Sequence, residues 1–465
     1  MGRPIGLAVT LLFSFLLPAI VSRYDDTDVY FWSGSLLYAF SFAICVSLIL
    51  DKKLGWYALL LLIFTFGGYF KSLVAMWSFA NNDDLLTVIN PEWENVTIDM
   101  VHYAFFVSGL VFLLTSSAFS RFMSTRDDAD SNMRHLYNRD RIALVLFCTF
   151  TLGMVSILVR GLLGIGVMGM AAEQNIFHTV LFRLQSHALP AVFIALLWAA
   201  KQSRADTLLK LTASAFLIFL TANSLVSSSK AGIFAFIMIM FFSSIYFLEI
   251  ERKHGAYIII AAIIGLIFYV YSGNIRVERL NGADLWQAIS NASNSEFNLF
   301  SKETWGRILQ IPMRIIGVDG LWYFKAAGDY HSSLSYLDVF SFDNGVTEYF
   351  TREIVGVTVP DDFRSPGFIT TFYMLGELPI VILGSLVLMI AINYWIAAFR
   401  STHYFHPIAV YTMAFTFILL VDGALNPKDV ISFLLASAGM VFVLSYLAGN
   451  AGQSGESLPA AQINN

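Results

Sequence analysis

Basic side chains stand where an apolar chain has least reason to keep them. Lys71 lies inside a long apolar run. Arg160 closes one such run, Arg183 lies near the start of the next, and Lys230 follows Ser227-Ser228-Ser229. Arg276 and Arg279 come just after a further run, and Arg307, Arg314 and Arg364 lie in the long connection beyond it. An ionisable group near a bilayer is costly and tends to mark a ligand path. Several cations at one depth point to an anionic ligand, and arginine suits phosphate because its planar fork donates two parallel hydrogen bonds. A lipid-linked pyrophosphate fits that depth and charge. Taken singly, each cation has a plainer reading, as a long side chain reaching to headgroups or pairing with a loop carboxylate.

Proton transfer needs a carboxylate or imidazole beside such cations. Glu377, in Gly376-Glu377-Leu378-Pro379, and His331, in Asp329-Tyr330-His331-Ser332-Ser333, are the candidate bases, with Asp319 as a third. The plain reading of Glu377 is a carboxylate at a helix N-terminus, because Pro379 suits a first turn. That of His331 is a solvated loop residue. Trp305, Trp322, Tyr323 and Tyr330 offer faces for stacking on sugars, or else pack.

The elements that must position these groups are apolar helices. The chain has 465 residues, 57% hydrophobic and only 13% charged, about half the charged share of a soluble domain. Long continuous apolar runs recur from end to end. About twelve are long enough to span a bilayer as helices, and none alternates as barrel strands do. They cover 4–22, 30–50, 54–76, 98–119, 142–160, 179–200, 208–226, 232–250, 256–272, 379–398, 406–421 and 429–447. The first is expected to be a retained span and not a cleaved leader.

The bias of Lys and Arg gives direction. Arg3, Lys52, Lys53, Arg121, Arg126, Arg134, Arg139, Arg141, Lys201, Arg204, Lys210, Arg252, Lys253 and Arg400 gather at one set of helix ends, which should be cytoplasmic with both termini. The cations of the candidate site then fall at the opposite face. Residues 1–272 are expected to form the first nine spans and 368–448 the last three, with a disordered cytoplasmic tail at 449–465. Between them, 273–367 is a large outer loop. Trp286, Trp305, Ile308, Leu309, Ile311, Ile315 and Ile316 at helical spacing predict amphipathic helices in it, ordered and functional.

Other chemistries are excluded. No P-loop, Gly-rich dinucleotide fingerprint, HExxH or paired His/Asp metal spacing is present, so no metal or cofactor is expected. Cys45 and Cys148 fall in apolar runs and read as buried packing residues. The net charge of −5 gives no nucleic-acid footprint, and no internal repeat of the kind common in transporters is visible.

Many spans, one large outer loop late in the chain and outer-face arginines resemble the O-antigen polymerases and related oligosaccharide repeat-unit polymerases. Ser227-Ser228-Ser229-Lys230-Ala231-Gly232 is similar to the family's Ser-(Arg/Lys) turn. Arg314-Ile315-Ile316-Gly317-Val318-Asp319 is similar to an Arg-x-x-Gly-x-Asp stretch of its large loop, and Ser365-Pro366-Gly367 with Gly376-Glu377 to the segment that re-enters the membrane. The Arg-x10-Gly pattern of some members is absent at Arg160, Arg183, Arg314 and Arg364.

The resemblance implies a helical bundle related to metal-independent lipid-sugar glycosyltransferases, in a bacterial inner membrane with its active site facing the periplasm. The donor would be a glycan on undecaprenyl pyrophosphate, the acceptor a lipid-linked repeat unit, and a neighbour a chain-length regulator. Arg160, Arg183, Lys230, Arg276, Arg279, Arg314 and Arg364 would stabilise the leaving pyrophosphate. An O-antigen ligase shares this architecture, and a lipid-linked oligosaccharide flippase is the rival of another class.

Overall fold

The structure, a computed structural model, describes residues 2–23, 27–50, 55–80, 96–122, 137–163, 176–227, 231–248, 271, 274–275, 278–279, 282–294, 319–326, 350, 367–399, 402–422 and 427–448. These are almost wholly helical, with no strand among them. The helices are α1 (Gly2–Val21), α2 (Val29–Leu50), α3 (Gly55–Ala80), α4 (Ile98–Phe122), α5 (Arg139–Leu163), α6 (Ile176–Arg183) and α7 (Leu189–Gln202), followed by α8 (Asp206–Ser227), α9 (Ala231–Ser243), α10 (Leu285–Asn294), α11 (Asp319–Ala326), α12 (Gly367–Ala398), α13 (Phe405–Asp422) and α14 (Pro427–Ala448).

Seven stretches are long and apolar enough to cross a membrane: Val29–Leu48, Ile98–Ser117, Arg139–Leu163, Val180–Gln202, Asp206–Val226, Gly367–Ala398 and Asp429–Ala448. The runs expected at 4–22, 54–76, 232–250 and 406–421 are helical as well, as α1, α3, α9 with its π-helical continuation Ser244–Leu248, and α13. The run at 256–272 lies outside the described residues, save Tyr271.

Helices α1 to α4 pack as one group, closest between α2 and α4. That closeness needs glycine. A Cβ at Gly34 would come within 2.6 Å of the Phe105 ring, and one at Gly109 within 3.2 Å of the Gly34 carbonyl. Small residues let backbones approach, and polar side chains then bond across the gap. Tyr38 Oη and Ser108 Oγ are 2.8 Å apart, Ser41 Oγ and Ser116 Oγ 2.9 Å, and Tyr69 donates to the Ser14 carbonyl at 2.8 Å.

Helices α5, α7, α8, α9, α13 and α14 form a second group, and α12 packs on both α4 and α13. One end of this group is stapled by backbone acceptors. Arg139 donates to the Ser203 carbonyl, Arg141 to that of Tyr446, the Asn138 N–H to that of Leu447, and Ser203 Oγ to that of Tyr137. The outward face of α5, with Leu144, Phe147, Val155, Leu158 and Leu162 exposed, suits lipid contact. Cys148 lies on that exposed face. The expected burial holds for Cys45 and is corrected for Cys148, whose helical position faces away from the bundle.

The long connection contributes α10 and α11. In α10 the buried positions are Ala288 and Ala292, against Ile275, while Trp286 is 77% exposed. The expected apolar stripe through Trp286 is therefore corrected. The small residues face inward because they allow the close approach that the indole would block. Trp305, Ile308, Leu309, Ile311, Ile315 and Ile316 lie outside the described residues. Helix α11 is docked on α4 and α12, with Leu321 and Trp322 in the main core.

Helix α12 begins at Gly367, not near 379 as the apolar run predicts, and it is not one rod. Gly376 and Glu377 have non-helical backbone angles, with φ 57° and ψ −153° at Glu377. A Cβ at Gly384 would come within 2.7 Å of the Phe372 ring. In a continuous helix those two residues would lie about 18 Å apart. The segments before and after the break are therefore folded against each other. All of 367–374 is buried, so the chain re-enters the bundle before the exposed break at Glu377.

Candidate functional site

Arg160 and Arg183 come together. Arg160 is in the last turn of α5 and buried, and Arg183 ends α6. Both guanidinium groups lie against the ring of Phe182, at 5.3 and 5.5 Å. Arg160 donates to Gln185 Oε1 at 3.0 Å and to Asn223 Oδ1, on α8, at 2.9 Å. Gln185 in turn donates to Ser156 Oγ at 3.1 Å. Arg183 forms an ion pair with Asp429 at the start of α14, and His187 Nε2 lies 3.6 Å from the same carboxylate oxygen. His187 Nδ1 is 3.2 Å from Tyr411 Oη on α13. These contacts lie at the end of α5 remote from Arg139 and Arg141.

The chain between the arginines and α7 explains how one strand of sequence serves both sets of partners. Residues Leu184–Ala188 form a π-turn, closed by the Leu189 N–H bonding the Leu184 carbonyl five residues back. Pro190 is the physical cause. It has no N–H for the Ser186 carbonyl and its ring crowds that carbonyl, so the turn before it widens. The widened turn buries both Gln185 and His187, one toward Arg160 and Ser156 of α5, the other toward α13 and α14. Sequence reasoning missed Gln185, His187, Asn223, Tyr411 and Asp429. The signal was Gln185-Ser186-His187 interrupting an apolar run just before a proline.

Glu377 lies in a different constellation. It is exposed at the break in α12 and close enough to Tyr103 and Tyr373 to act on them electrostatically. Its backbone occupies a region that non-glycine residues enter at a cost of about 1–3 kcal/mol, and such strain is found at functional sites. Lys325, on α11, lies over the rings of Tyr103 at 4.5 Å and Tyr373 at 5.1 Å. Tyr30 meets Tyr103 edge to face at 5.2 Å. Among the described residues the neighbours of Glu377 are these tyrosines, with Lys325 over their rings.

Of the other expected site residues, Asp319 opens α11 and Tyr323 lies within it. Trp322 is fully buried, with Lys71 Nζ 5.5 Å from the centre of its ring. Its expected role on a sugar face is corrected, because a fully enclosed ring packs the core and offers no face to a ligand. Arg279 is buried near Asp284. Desolvation lowers its pKa and Asp284 partly opposes this. His331, Lys230, Arg276, Arg314, Arg364, Trp305 and Tyr330 lie outside the described residues.

Among the described residues there is one metal-capable group, which the spacing of the sequence did not reveal. Ligand atoms of Asp28, Asp99 and His102 lie within 4.8 Å of one another, with His102 Nδ1 3.3 Å from Asp28 Oδ1. Asp28 also caps α2 by accepting the Phe31 N–H at 2.8 Å. These residues come together because the first turns of α2 and α4 are neighbours. No protein-family model, curated protein or solved structure matches the chain.

Proposed function

We propose that the chain is a glycosyltransferase of the O-antigen polymerase type. In this reading it spans a bacterial inner membrane about twelve times, with both termini cytoplasmic and the 273–367 connection in the periplasm. It moves a growing glycan from undecaprenyl pyrophosphate to a hydroxyl of a lipid-linked repeat unit. The observation that carries the reading is the pair of guanidinium groups, Arg160 and Arg183, brought from different helices onto the ring of Phe182.

Charge grows on the leaving pyrophosphate as the glycosidic bond breaks. Cations stabilise that charge most when they need not move to meet it. Gln185, Asn223 and Phe182 set Arg160, and Asp429 and Phe182 set Arg183. Glu377, exposed on a strained break apart from the arginine pair, is the first candidate base for the acceptor hydroxyl, which a bound glycan would have to bring between the two constellations, with His331 and Asp319 as the other candidates. The reading assigns charge stabilisation to fixed cations. Lys/Arg bias supports the orientation, and a chain-length regulator is the expected membrane partner.

The test is a gel profile of surface glycan after deletion of the gene, with complementation by wild type, Arg160→Ala and Arg160→Lys. Glycan cut to a single anchored repeat unit is the expected result. Both variants should fail to restore polymer while present in the membrane, since lysine keeps the charge and loses the fork. Polymer accumulating on its carrier lipid would make the chain a ligase. Repeat units trapped on the cytoplasmic leaflet would make it a flippase, and an unchanged profile would overturn the glycan reading.

A further inference from the structure

Asp429 is an incomplete partner for Arg183. Its Oδ1 meets the Nη1 of the guanidinium, and the same oxygen lies 3.6 Å from His187 Nε2. The Arg183 Nε is buried and has no hydrogen-bond partner among the described residues. A buried donor left unpaired costs about 1–3 kcal/mol and is rare in native structures. Nε belongs to the edge of the guanidinium that grips two oxygens of one phosphate. Both side chains are partly accessible, with 17% of Arg183 and 28% of Asp429 exposed.

We propose that Asp429 is an internal stand-in for a pyrophosphate group, holding Arg183 until that ligand displaces it, and that this competition selects pyrophosphate over single phosphates. The inference rests on the anion-binding role given above to Arg160 and Arg183. A carboxylate tethered to α14 competes at a high effective concentration. A single phosphate, with about 1.5 to 2 negative charges, exceeds the carboxylate it must replace by at most about one charge. A pyrophosphate brings more charge and more oxygens, enough to take the Nε–Nη2 edge with one phosphate and Nη1, in place of Asp429, with the other, beside the neighbouring Arg160. The released Asp429 carboxylate has His187 already beside it.

The experiment is a calorimetric titration of the purified full chain in nanodiscs with inorganic pyrophosphate and inorganic phosphate. Wild type should prefer pyrophosphate at least tenfold. Asp429→Asn should bind both anions more tightly and reduce the preference severalfold, because a neutral amide holds Arg183 weakly. Asp429→Ser carries the same test if the asparagine variant does not assemble. Farnesyl pyrophosphate distinguishes the source of the group. Tighter binding than the inorganic ion supports a lipid-linked pyrophosphate, and equal binding a free one. Wild type and variant both failing to bind any of these anions would overturn the arginine site itself. Wild-type binding with an unchanged or weakened Asp429→Asn would overturn the stand-in and leave the arginine site in place.

Discussion

Phe372 and Gly384 touch across the break in α12, although Gly376 and Glu377 lie between them. The elbow is therefore held by packing as well as by backbone angles. Gly384→Ala should force the buried Phe372 ring aside, at about 1–3 kcal/mol for overpacking. The better helix propensity of alanine offsets about 1 kcal/mol of that. A lowered melting temperature in detergent, restored by adding Phe372→Leu, is the expected result. Gly34→Ala, facing Phe105, should be worse, since the Phe106 backbone nitrogen also lies 3.1 Å from the added carbon.

Glu377 separates strain from chemistry. Glu377→Gly and Glu377→Ala both remove the carboxylate, but only glycine is at ease at φ 57°. Both variants should lose polymer in the glycan gel. The glycine variant should melt higher than the alanine variant, by the equivalent of about 1–2 kcal/mol. Equal melting temperatures would mean that the backbone there is not strained.

Docking of α11 rests unequally on its two anchors. Trp322→Ala empties a fully buried site and should cost about 3–5 kcal/mol. Lys325→Ala removes ring contacts worth about 0.5–2 kcal/mol. Limited proteolysis of the connection around 319–326 should accelerate strongly in the first variant and slightly in the second.

Pro190 should control the ion pair without touching it. Pro190→Ala restores the N–H that the Ser186 carbonyl lacks and removes the cause of the π-turn. The thermal stability of the variant should be unchanged or higher. A double-mutant cycle between Arg183 and Asp429 should show coupling of about 1 kcal/mol or more in the parent chain, as for charge-assisted contacts, and little in the Pro190→Ala background.

The helices were legible because each apolar run is long and continuous, and a bilayer demands that length. Arg160 and Arg183 were legible for the reverse reason, as charges where apolar residues belong. Their partners were not. Asn223 and Asp429 are remote from them in sequence, and only packing brings α8 and α14 to the end of α5. His187 looked scattered until the π-turn faced it toward Tyr411. The run that begins at Pro379 concealed that Gly367 starts the same element. Nothing in the spacing of Trp322 told a core indole from an exposed one.

The staples joining Asn138, Arg139 and Arg141 to the carbonyls of Leu447, Ser203 and Tyr446 have a mechanical consequence. Peptide oxygens held by three closely spaced residues make that end of α5, α7 and α14 a pivot. The other end is joined by side chains that can exchange partners. A tilt of about 5° about such a pivot moves the far end of a span about 30 Å long by about 2.6 Å. That is close to the length of one hydrogen bond, so a small rocking of α14 is enough to take Asp429 out of reach of Arg183.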